Sequence, residues 1–116
     1  MVEISGSKYS RKINYKRKAN NKTYAGHFDL NDKGDRYEIW SLEVSPRYRN
    51  KGYATQMLTE FISQFKFDKP LILYVYKWNE IAIRLYESVG FVITGEYADG
   101  EAYKMQLIGS NANERR

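Results

Sequence analysis

The spacing of apolar residues separates a strand-forming first third of the chain from a region where helices and strands alternate. Residues 13–18, 23–30 and 37–44 are rich in β-branched and aromatic side chains that alternate with polar ones, as in half-buried strands. The turn-forming stretches ANNK and NDKGD lie between them, so the pattern predicts an antiparallel meander. Residues 1–5 can add an edge strand before it.

The period of the pattern changes at Gly52. Six apolar residues then recur at the spacing of one helical face: Ala54, Met57, Leu58, Phe61, Ile62 and Phe65. This stripe predicts an amphipathic helix. After Pro70, residues 71–76 (LILYVY) form an apolar run typical of a strand buried on both faces, as parallel strands are.

A second helix is predicted after residue 78. Asn79 is a suitable N-cap and Gly90 a suitable C-terminal residue. Residues 91–97 and 101–108 then predict a final hairpin around ADG. The fold class is therefore α/β, in the mixed α+β sense, with a mostly antiparallel sheet of six to seven strands and two main helices. We expect one domain over residues 1–110 and a frayed tail over 111–116.

Composition narrows the function classes. A chain of 116 residues suits a single domain, and its apolar runs are too short to cross a membrane. It has no cysteine, which excludes disulfides, a thiolate metal site and a cysteine nucleophile. With His27 as the only histidine, no protein-ligated zinc is expected. The first residues show no signal-peptide pattern, and we expect a cytoplasmic protein.

Positive charge is concentrated near the start of the chain. The net charge is +5, and seven cations precede residue 23: Lys8, Arg11, Lys12, Lys16, Arg17, Lys18 and Lys22. Such a surface suits an anionic partner, which can be a nucleotide, a nucleic acid or an acidic protein. It is equally typical of edge strands that lysines protect from aggregation. Both interpretations stay open.

A second cationic stretch, RYRNKGYAT, opens the first helix. It places Arg47, Arg49 and Lys51 around Gly52, where the helix already presents unpaired N–H groups and the positive end of its dipole. Glycine lets the backbone approach a ligand closely, and a pyrophosphate fits such a turn. The stretch therefore indicates a phosphate site.

Two motifs resemble those of the GNAT superfamily of acetyl-CoA-dependent N-acyltransferases. LEVSPRYRNKGYATQML is similar to the family's central motif, a hydrophobic strand and Val-x-Pro followed by Arg/Gln-x-x-Gly-x-Gly/Ala at a helix start. NEIAIRLYESVGF, residues 79–91, is similar to its Asn-x-x-Ala-x-x-x-Tyr-x-x-x-Gly-Phe segment. The resemblance covers about residues 36–108 and implies acetyl-CoA as co-substrate.

The resemblance also implies roles for individual residues. The backbone of Leu42, Glu43 and Val44 would pair with the pantetheine arm of acetyl-CoA. Asn79 would contact the cofactor, and Tyr86 would face its sulfur. The pyrophosphate would be held by one continuous turn: Arg49, Asn50, Lys51, Gly52, Tyr53, Ala54 and Thr55.

Acetyl transfer needs a neutral amine. A lysine-like amine with a pKa of about 10.4 is neutral in only a few molecules per ten thousand at pH 7, a penalty of about 4.6 kcal/mol. Glu38 is the first candidate base because its spacing resembles that of the glutamate in the family's histone-acetylating branch. Glu43 is the alternative, and strand alternation places it on the opposite face. Either carboxylate could instead pair with a surface lysine.

Tyr86 is the candidate proton donor to the departing thiolate, although it also completes the apolar stripe of its helix. His27 is expected to be a strand histidine and not a base. Without cysteine there is no acyl-cysteine intermediate, so direct transfer in a ternary complex is expected.

The sequence departs from the family at its start. The usual fold has two helices between its first and second strands, and nothing before residue 36 has helical periodicity. We expect a minimal member whose acceptor side is open or completed by a second subunit as a homodimer. This favours a macromolecular amine, a lysine side chain or a protein N-terminus, as acceptor. The alternatives are a non-catalytic acetyl-CoA-binding regulator and a basic module that binds nucleic acid or acidic proteins.

Overall fold

A mixed sheet of seven strands and two α-helices make up the part of the chain that the structure describes. The structure is a computed structural model that describes residues 1–16 and 24–108. In chain order, the elements are β1 Val2–Gly6, β2 Ser10–Lys16, β3 Tyr24–Asp32, β4 Tyr37–Val44, a 3-10 turn Pro46–Tyr48, α1 Tyr53–Gln64, β5 Leu71–Tyr76, α2 Glu80–Ser88, β6 Phe91–Tyr97 and β7 Ala102–Leu107.

The strand order is β1-β2-β3-β4-β5-β7-β6. Only the central pair β4 and β5 is parallel, and every other neighbouring pair is antiparallel. The predicted fold class, the meander, both helices and the final hairpin are confirmed. Residues 17, 18 and 23 of the predicted strands and the predicted tail 111–116 lie outside the described residues, so the domain limits stay a prediction.

A direct hairpin joins the first two strands, at the point where the resemblance implies two helices. β1 ends at Gly6 and β2 begins at Ser10, so a turn of residues 7–9 joins strands that pair directly. The Ser7 hydroxyl oxygen accepts hydrogen bonds from the backbone N–H groups of Tyr9 and Ser10, at 3.3 and 3.2 Å. A turn of three residues cannot contain two helices, so β1 and β2 are joined without them, as predicted.

Both helices pack on one face of the sheet, which we call the helix face. The stripe of α1 is buried there, with Phe61 edge-on to Phe28 of β3 at a ring-centroid distance of 5.1 Å. α2 packs over β6, where Tyr86 contacts the ring of Phe91. Each fully buried side chain of this size contributes roughly 1.5–3 kcal/mol of hydrophobic free energy. The opposite face, the open face, carries no helix among the described residues.

The parallel pair separates partway along its length. β4 and β5 pair only from Tyr37 with Leu71 to Ile39 with Leu73. Near this point β4 also contains a bulge: Trp40 pairs with Asp29 but Glu43 pairs with His27, and Ser41 has a left-handed φ of 57°. The bulge shifts the alternation of β4 by one residue, and the strands diverge to leave a gap.

This bulge corrects one sequence expectation. Regular alternation places Glu38 and Glu43 on opposite faces, and that prediction is wrong. Their partners Asn31 and His27 lie four residues apart on β3, and directly paired antiparallel residues share a face. The extra residue at the bulge therefore brings both carboxylates to the open face.

Neither α1 nor α2 has the length and apolar character needed to cross a bilayer, and no other α-helix occurs within residues 1–16 and 24–108.

Candidate functional site

One groove collects most of the residues that the sequence assigns to the cofactor. It has a volume of about 630 Å³ and lies between the end of β4, the start of α1 and the start of α2. The assigned residues that line it are Leu42, Val44, Arg49, Asn50, Gly52, Tyr53, Ala54, Thr55, Asn79 and Tyr86. Glu43 and Lys51 were assigned to the cofactor but are not among its lining residues.

Four lining residues were not assigned from sequence: Tyr48, Ile81, Ala82 and Leu85. Ile81 is 85% exposed in the first turn of α2. Its place beside the groove is visible only once β4, α1 and α2 are assembled. Tyr48 belongs to the turn before α1, where its ring packs edge-on against Tyr53 at 5.9 Å.

The turn before α1 has the backbone conformation of an anion site. Asn50 and Gly52 have left-handed φ values of 62° and 81°, and the Arg49 Nε donates to the Val44 carbonyl oxygen at 2.9 Å. The first turn of α1 holds no acidic residue, and its amides at Ala54 and Thr55 have no acceptor within the helix. The positive end of the helix dipole therefore faces the groove uncompensated.

The gap between β4 and β5 exposes a strand edge to this groove. Past Ile39, β4 has no pairing with β5, while Leu42 and Val44 line the groove. An unpaired strand edge can accept an extended ligand through main-chain hydrogen bonds, as strand addition does in peptide recognition. The divergence supplies the open edge that the pantetheine arm would need.

Tyr86 lies where the groove meets a second cavity of about 250 Å³, and it lines both. Its ring packs against Phe91 at 6.0 Å, and burial raises the pKa of its hydroxyl. The phenol is therefore protonated at neutral pH and able to donate a proton. Asn79 also lines both cavities, while its side-chain oxygen accepts from the Ala82 N–H at 3.2 Å and caps α2.

Glu38 lies in a different setting from the groove. Its side chain is almost completely buried on the open face. It accepts hydrogen bonds from the Trp40 Nε1, the Arg36 Nε and the Tyr74 hydroxyl at 2.7, 2.8 and 3.1 Å. Burial raises the pKa of the Glu38 carboxyl, but the three hydrogen bonds outweigh it and bring the pKa below its usual value. These contacts are typical of a structural carboxylate that orients the side chains around it, here Arg36, Trp40 and Tyr74.

Glu43 is the more accessible carboxylate of the open face. Its side chain is 66% exposed, and its Oε1 lies 3.6 Å from the Nε2 of His27 on β3. It directly adjoins Leu42 and Val44, the two residues of the strand that line the groove. His27 is a strand histidine, as expected.

The basic N-terminal surface is partly neutralised within the described residues. Lys12 pairs with Asp29 at 2.7 Å and Lys16 with Glu3 at 3.0 Å. Arg11 stacks on the ring of Phe65 at 5.2 Å. Lys8 lies over the ring of Tyr9 at 5.1 Å. The other three cations, Arg17, Lys18 and Lys22, lie outside the described residues, so nucleic-acid binding stays a prediction.

Across the described ranges 1–16 and 24–108, no three histidine, aspartate or glutamate side chains come together in a way that would hold a metal ion.

Comparisons of the sequence and of the fold with known proteins all find acetyltransferases. The family model described as Acetyltransferase (GNAT) family matches residues 15–91. A curated relative, the [Ribosomal protein bS18]-alanine N-acetyltransferase of Haemophilus ducreyi, is 39% identical over 59 residues, which are 49% of this chain and 41% of that protein. The match thus spans about two fifths of that relative's length.

Two solved structures are similar in fold. A mutant of the spermidine N-acetyltransferase SpeG from Vibrio cholerae superposes with a TM-score of 0.71 at 21% identity, over 93% of this chain and 70% of that chain. The PaiA N-acetyltransferase of Thermoplasma acidophilum, in complex with coenzyme A, has a TM-score of 0.67 at 22% identity, over 85% and 60%. At these identities the likeness shows the fold alone.

Proposed function

This chain belongs to the GNAT acetyltransferase family, and from that premise we propose that it moves the acetyl group of acetyl-CoA to a macromolecular amine. The amine is a lysine side chain or a protein N-terminus. One observation carries the proposal: a single groove joins the glycine turn before α1, the unpaired edge of β4 and the Tyr86 side chain. These are the three features that the pyrophosphate, the pantetheine arm and the sulfur of acetyl-CoA would use.

The proposed binding mode follows the groove. The pyrophosphate lies over the turn Arg49–Thr55, where the backbone N–H groups and Arg49 border the groove. Lys51 belongs to the same turn but does not line the groove, so its side chain would have to reorient to reach the ligand. Each charge-assisted hydrogen bond contributes roughly 1.5–3 kcal/mol. The pantetheine arm extends along Leu42–Val44 as an added strand. The thioester then reaches Tyr86 at the inner end of the groove.

The proposed reaction is direct transfer. The neutral amine nitrogen attacks the thioester carbonyl carbon, and the nitrogen of the tetrahedral intermediate gives up one N–H proton to solvent water. The C–S bond then breaks, and the acetyl group stays on nitrogen as an amide. A proton from the Tyr86 hydroxyl goes to the sulfur as it leaves, giving the free thiol of coenzyme A, and solvent returns a proton to Tyr86. A β4 N–H near Leu42 stabilises the oxyanion of the tetrahedral intermediate.

Before the attack, the acceptor must lose the extra proton of its ammonium form. We assign the removal of this proton to Glu43, acting through water. The first candidate from sequence, Glu38, is buried and its carboxylate accepts three hydrogen bonds, which leaves it little capacity to accept a proton. Glu43 shares its face through the β4 bulge and is largely exposed. Its carboxylate is therefore free to reorient toward an incoming amine.

The open acceptor side supports a macromolecular substrate. The turn of residues 7–9 stands where two helices usually wall the acceptor pocket, so a bulky chain can approach the inner end of the groove. A second subunit that completes this side stays a prediction. The name of the curated relative describes acetylation of an alanine on a ribosomal protein, which is one chemical form that such an acceptor takes.

The test is detection of product. The full chain is incubated with acetyl-CoA and two peptides, one with a lysine and a blocked N-terminus, the other with a free N-terminal alanine and no lysine. We expect an acetylated product by mass spectrometry from wild type and none from Gly52→Glu. Binding of acetyl-CoA with no product from either peptide would contradict transfer and support the non-catalytic regulator.

A further inference from the structure

Three aromatic side chains lie together on the open face, and we call Trp40, Tyr74 and Tyr97 the aromatic platform. They come from β4, β5 and β6. The Tyr74 and Tyr97 rings stack at 4.0 Å, and the Trp40 ring lies 5.4 Å from Tyr74 and 6.5 Å from Tyr97. Trp40 is 36% exposed and Tyr97 45%, so ring surface remains accessible to a ligand.

The platform borders a small cavity of its own. This cavity of about 110 Å³ is lined by all three rings together with Tyr76 and Ala98, and none of its lining residues is charged. The adjoining loop carries Asp99 and Glu101, both exposed. The cavity lining therefore presents π faces and no charge. The surroundings carry both signs, because Lys104 pairs with Tyr74 on the same face and Arg36 binds Glu38.

The platform is continuous with the cofactor groove. The lining of the 250 Å³ cavity includes Trp40 and Tyr74 of the platform together with Leu42, Asn79 and Tyr86. The last three residues also line the groove proposed for acetyl-CoA. A ligand on the platform would therefore lie next to the end of the groove where the thioester would react.

Glu38 fixes two of the three rings. Its Oε1 accepts from the Trp40 Nε1 at 2.7 Å, and its Oε2 accepts from the Tyr74 hydroxyl at 3.1 Å and from the Arg36 guanidinium at 2.8 Å. Both rings are thus oriented by hydrogen bonds at their polar ends. One face of Tyr74 is covered by the stacked Tyr97 ring, so the accessible ring surface belongs mainly to Trp40 and Tyr97. This arrangement gives Glu38 a positioning role.

Resting on the proposed acetyl transfer, we propose that the aromatic platform binds the cationic side chain of a lysine in a peptide acceptor. The faces of tryptophan and tyrosine attract an alkylammonium group through their quadrupole, and the methylenes of lysine pack on the same rings. The platform receives the lysine as its ammonium form. The amine then loses its proton to Glu43 through water and reaches the thioester beside Tyr86.

A peptide suits this site better than a small free amine because the platform is open. An enclosed pocket would be needed to surround a free amine on most sides. Here the rings lie on a sheet face that no helix covers among the described residues, so the rest of a peptide can extend across the face.

The direct test uses the fluorescence of Trp40. The chain has two tryptophans, and Trp78→Phe removes the other, which is 75% exposed and stacked on Tyr76. Into this variant, with coenzyme A present, a blocked Ala-Lys-Ala peptide is titrated against a matched blocked Ala-norleucine-Ala peptide. We expect a saturable change in Trp40 emission with ~3- to 30-fold tighter binding of the lysine peptide. Equal responses to both peptides, or a tighter response to spermidine, would overturn the proposal.

A kinetic comparison separates π contact from simple packing. Tyr97→Phe keeps the ring face and should leave the KM for the lysine peptide unchanged, whereas Tyr97→Leu should raise it about fivefold with little change in kcat. Equal KM values for the two variants would overturn the proposal. If the KM values are equal while both Tyr97 variants still bind acetyl-CoA and acetylate the peptide, the platform proposal is wrong and the acetyl transfer stands. If acetyl-CoA does not bind, the acetyl transfer itself fails, and the Trp40 titration still reports on the platform.

Discussion

Replacing Glu38 by glutamine should destabilise the fold, because this carboxylate is buried and accepts hydrogen bonds from three side chains. A glutamine keeps one oxygen, which can stay toward Arg36 and Tyr74. Its NH2 group then faces the Trp40 N–H, and the ion pair with Arg36 loses its negative partner. The loss of one hydrogen bond to a charged group, partly offset by water at the half-exposed indole, amounts to about 2 kcal/mol.

The pH dependence gives the same prediction a second readout. The folded pKa of Glu38 is lowered, so its stabilisation is present above its unfolded pKa of about 4.3 and is lost as the pH falls through the lower folded value. The difference in unfolding free energy between wild type and Glu38→Gln should therefore be large at pH 7 and shrink below about pH 4.

Urea unfolding at pH 7 and at pH 3.5 measures both effects, and Glu43→Gln is the matched control. Because Glu43 is largely exposed, its substitution should change stability by less than about 0.5 kcal/mol. Two results would refute the assignment of Glu38 as a positioning carboxylate. One is a Glu38→Gln variant as stable as the Glu43→Gln control. The other is a difference in unfolding free energy between wild type and Glu38→Gln that is the same at pH 7 and pH 3.5.

Three further predictions concern the groove. Tyr86→Phe should lower kcat by at least about tenfold with unchanged affinity for acetyl-CoA, and stopped-flow turnover within about twofold of wild type would remove Tyr86 as the acid. Glu43→Gln should lower kcat/KM by roughly 100-fold at pH 7, less as the pH rises toward the pKa of the amine; this profile in Glu38→Gln instead would reassign the base. Asn79→Ala should lower the free energy of unfolding, measured with urea, by about 1 kcal/mol. Asn79→Asp can still cap α2 and should leave this free energy unchanged.

The local elements were predictable because their signals lie within short stretches of sequence. The stripe from Met57 to Ile62 has helical spacing and is buried as that spacing requires. Asn79 caps α2 as an asparagine before an apolar stripe should. The glycine turn was predictable for the same reason, since Gly52 adopts the left-handed φ that glycine tolerates best.

Long-range pairing was not predictable from these patterns. The bulge at Ser41 puts a non-glycine residue at positive φ, and no local signal marks it, so the faces of Glu38 and Glu43 were assigned incorrectly relative to each other. The hydrogen bond from Tyr74 joins residues 36 positions apart. The aromatic platform likewise depends on three strands whose order in the sheet only the assembled fold defines.

The most direct test of the account is a calorimetric titration of acetyl-CoA into wild type, Gly52→Glu and Gly34→Glu. Both glycines have left-handed φ values and open space at the Cβ position, so both variants carry similar backbone strain, but only Gly52 lies in the groove. The account predicts micromolar binding to wild type and Gly34→Glu, weaker at higher salt, and none to Gly52→Glu. Equal binding to all three proteins, or no binding to wild type, would contradict it.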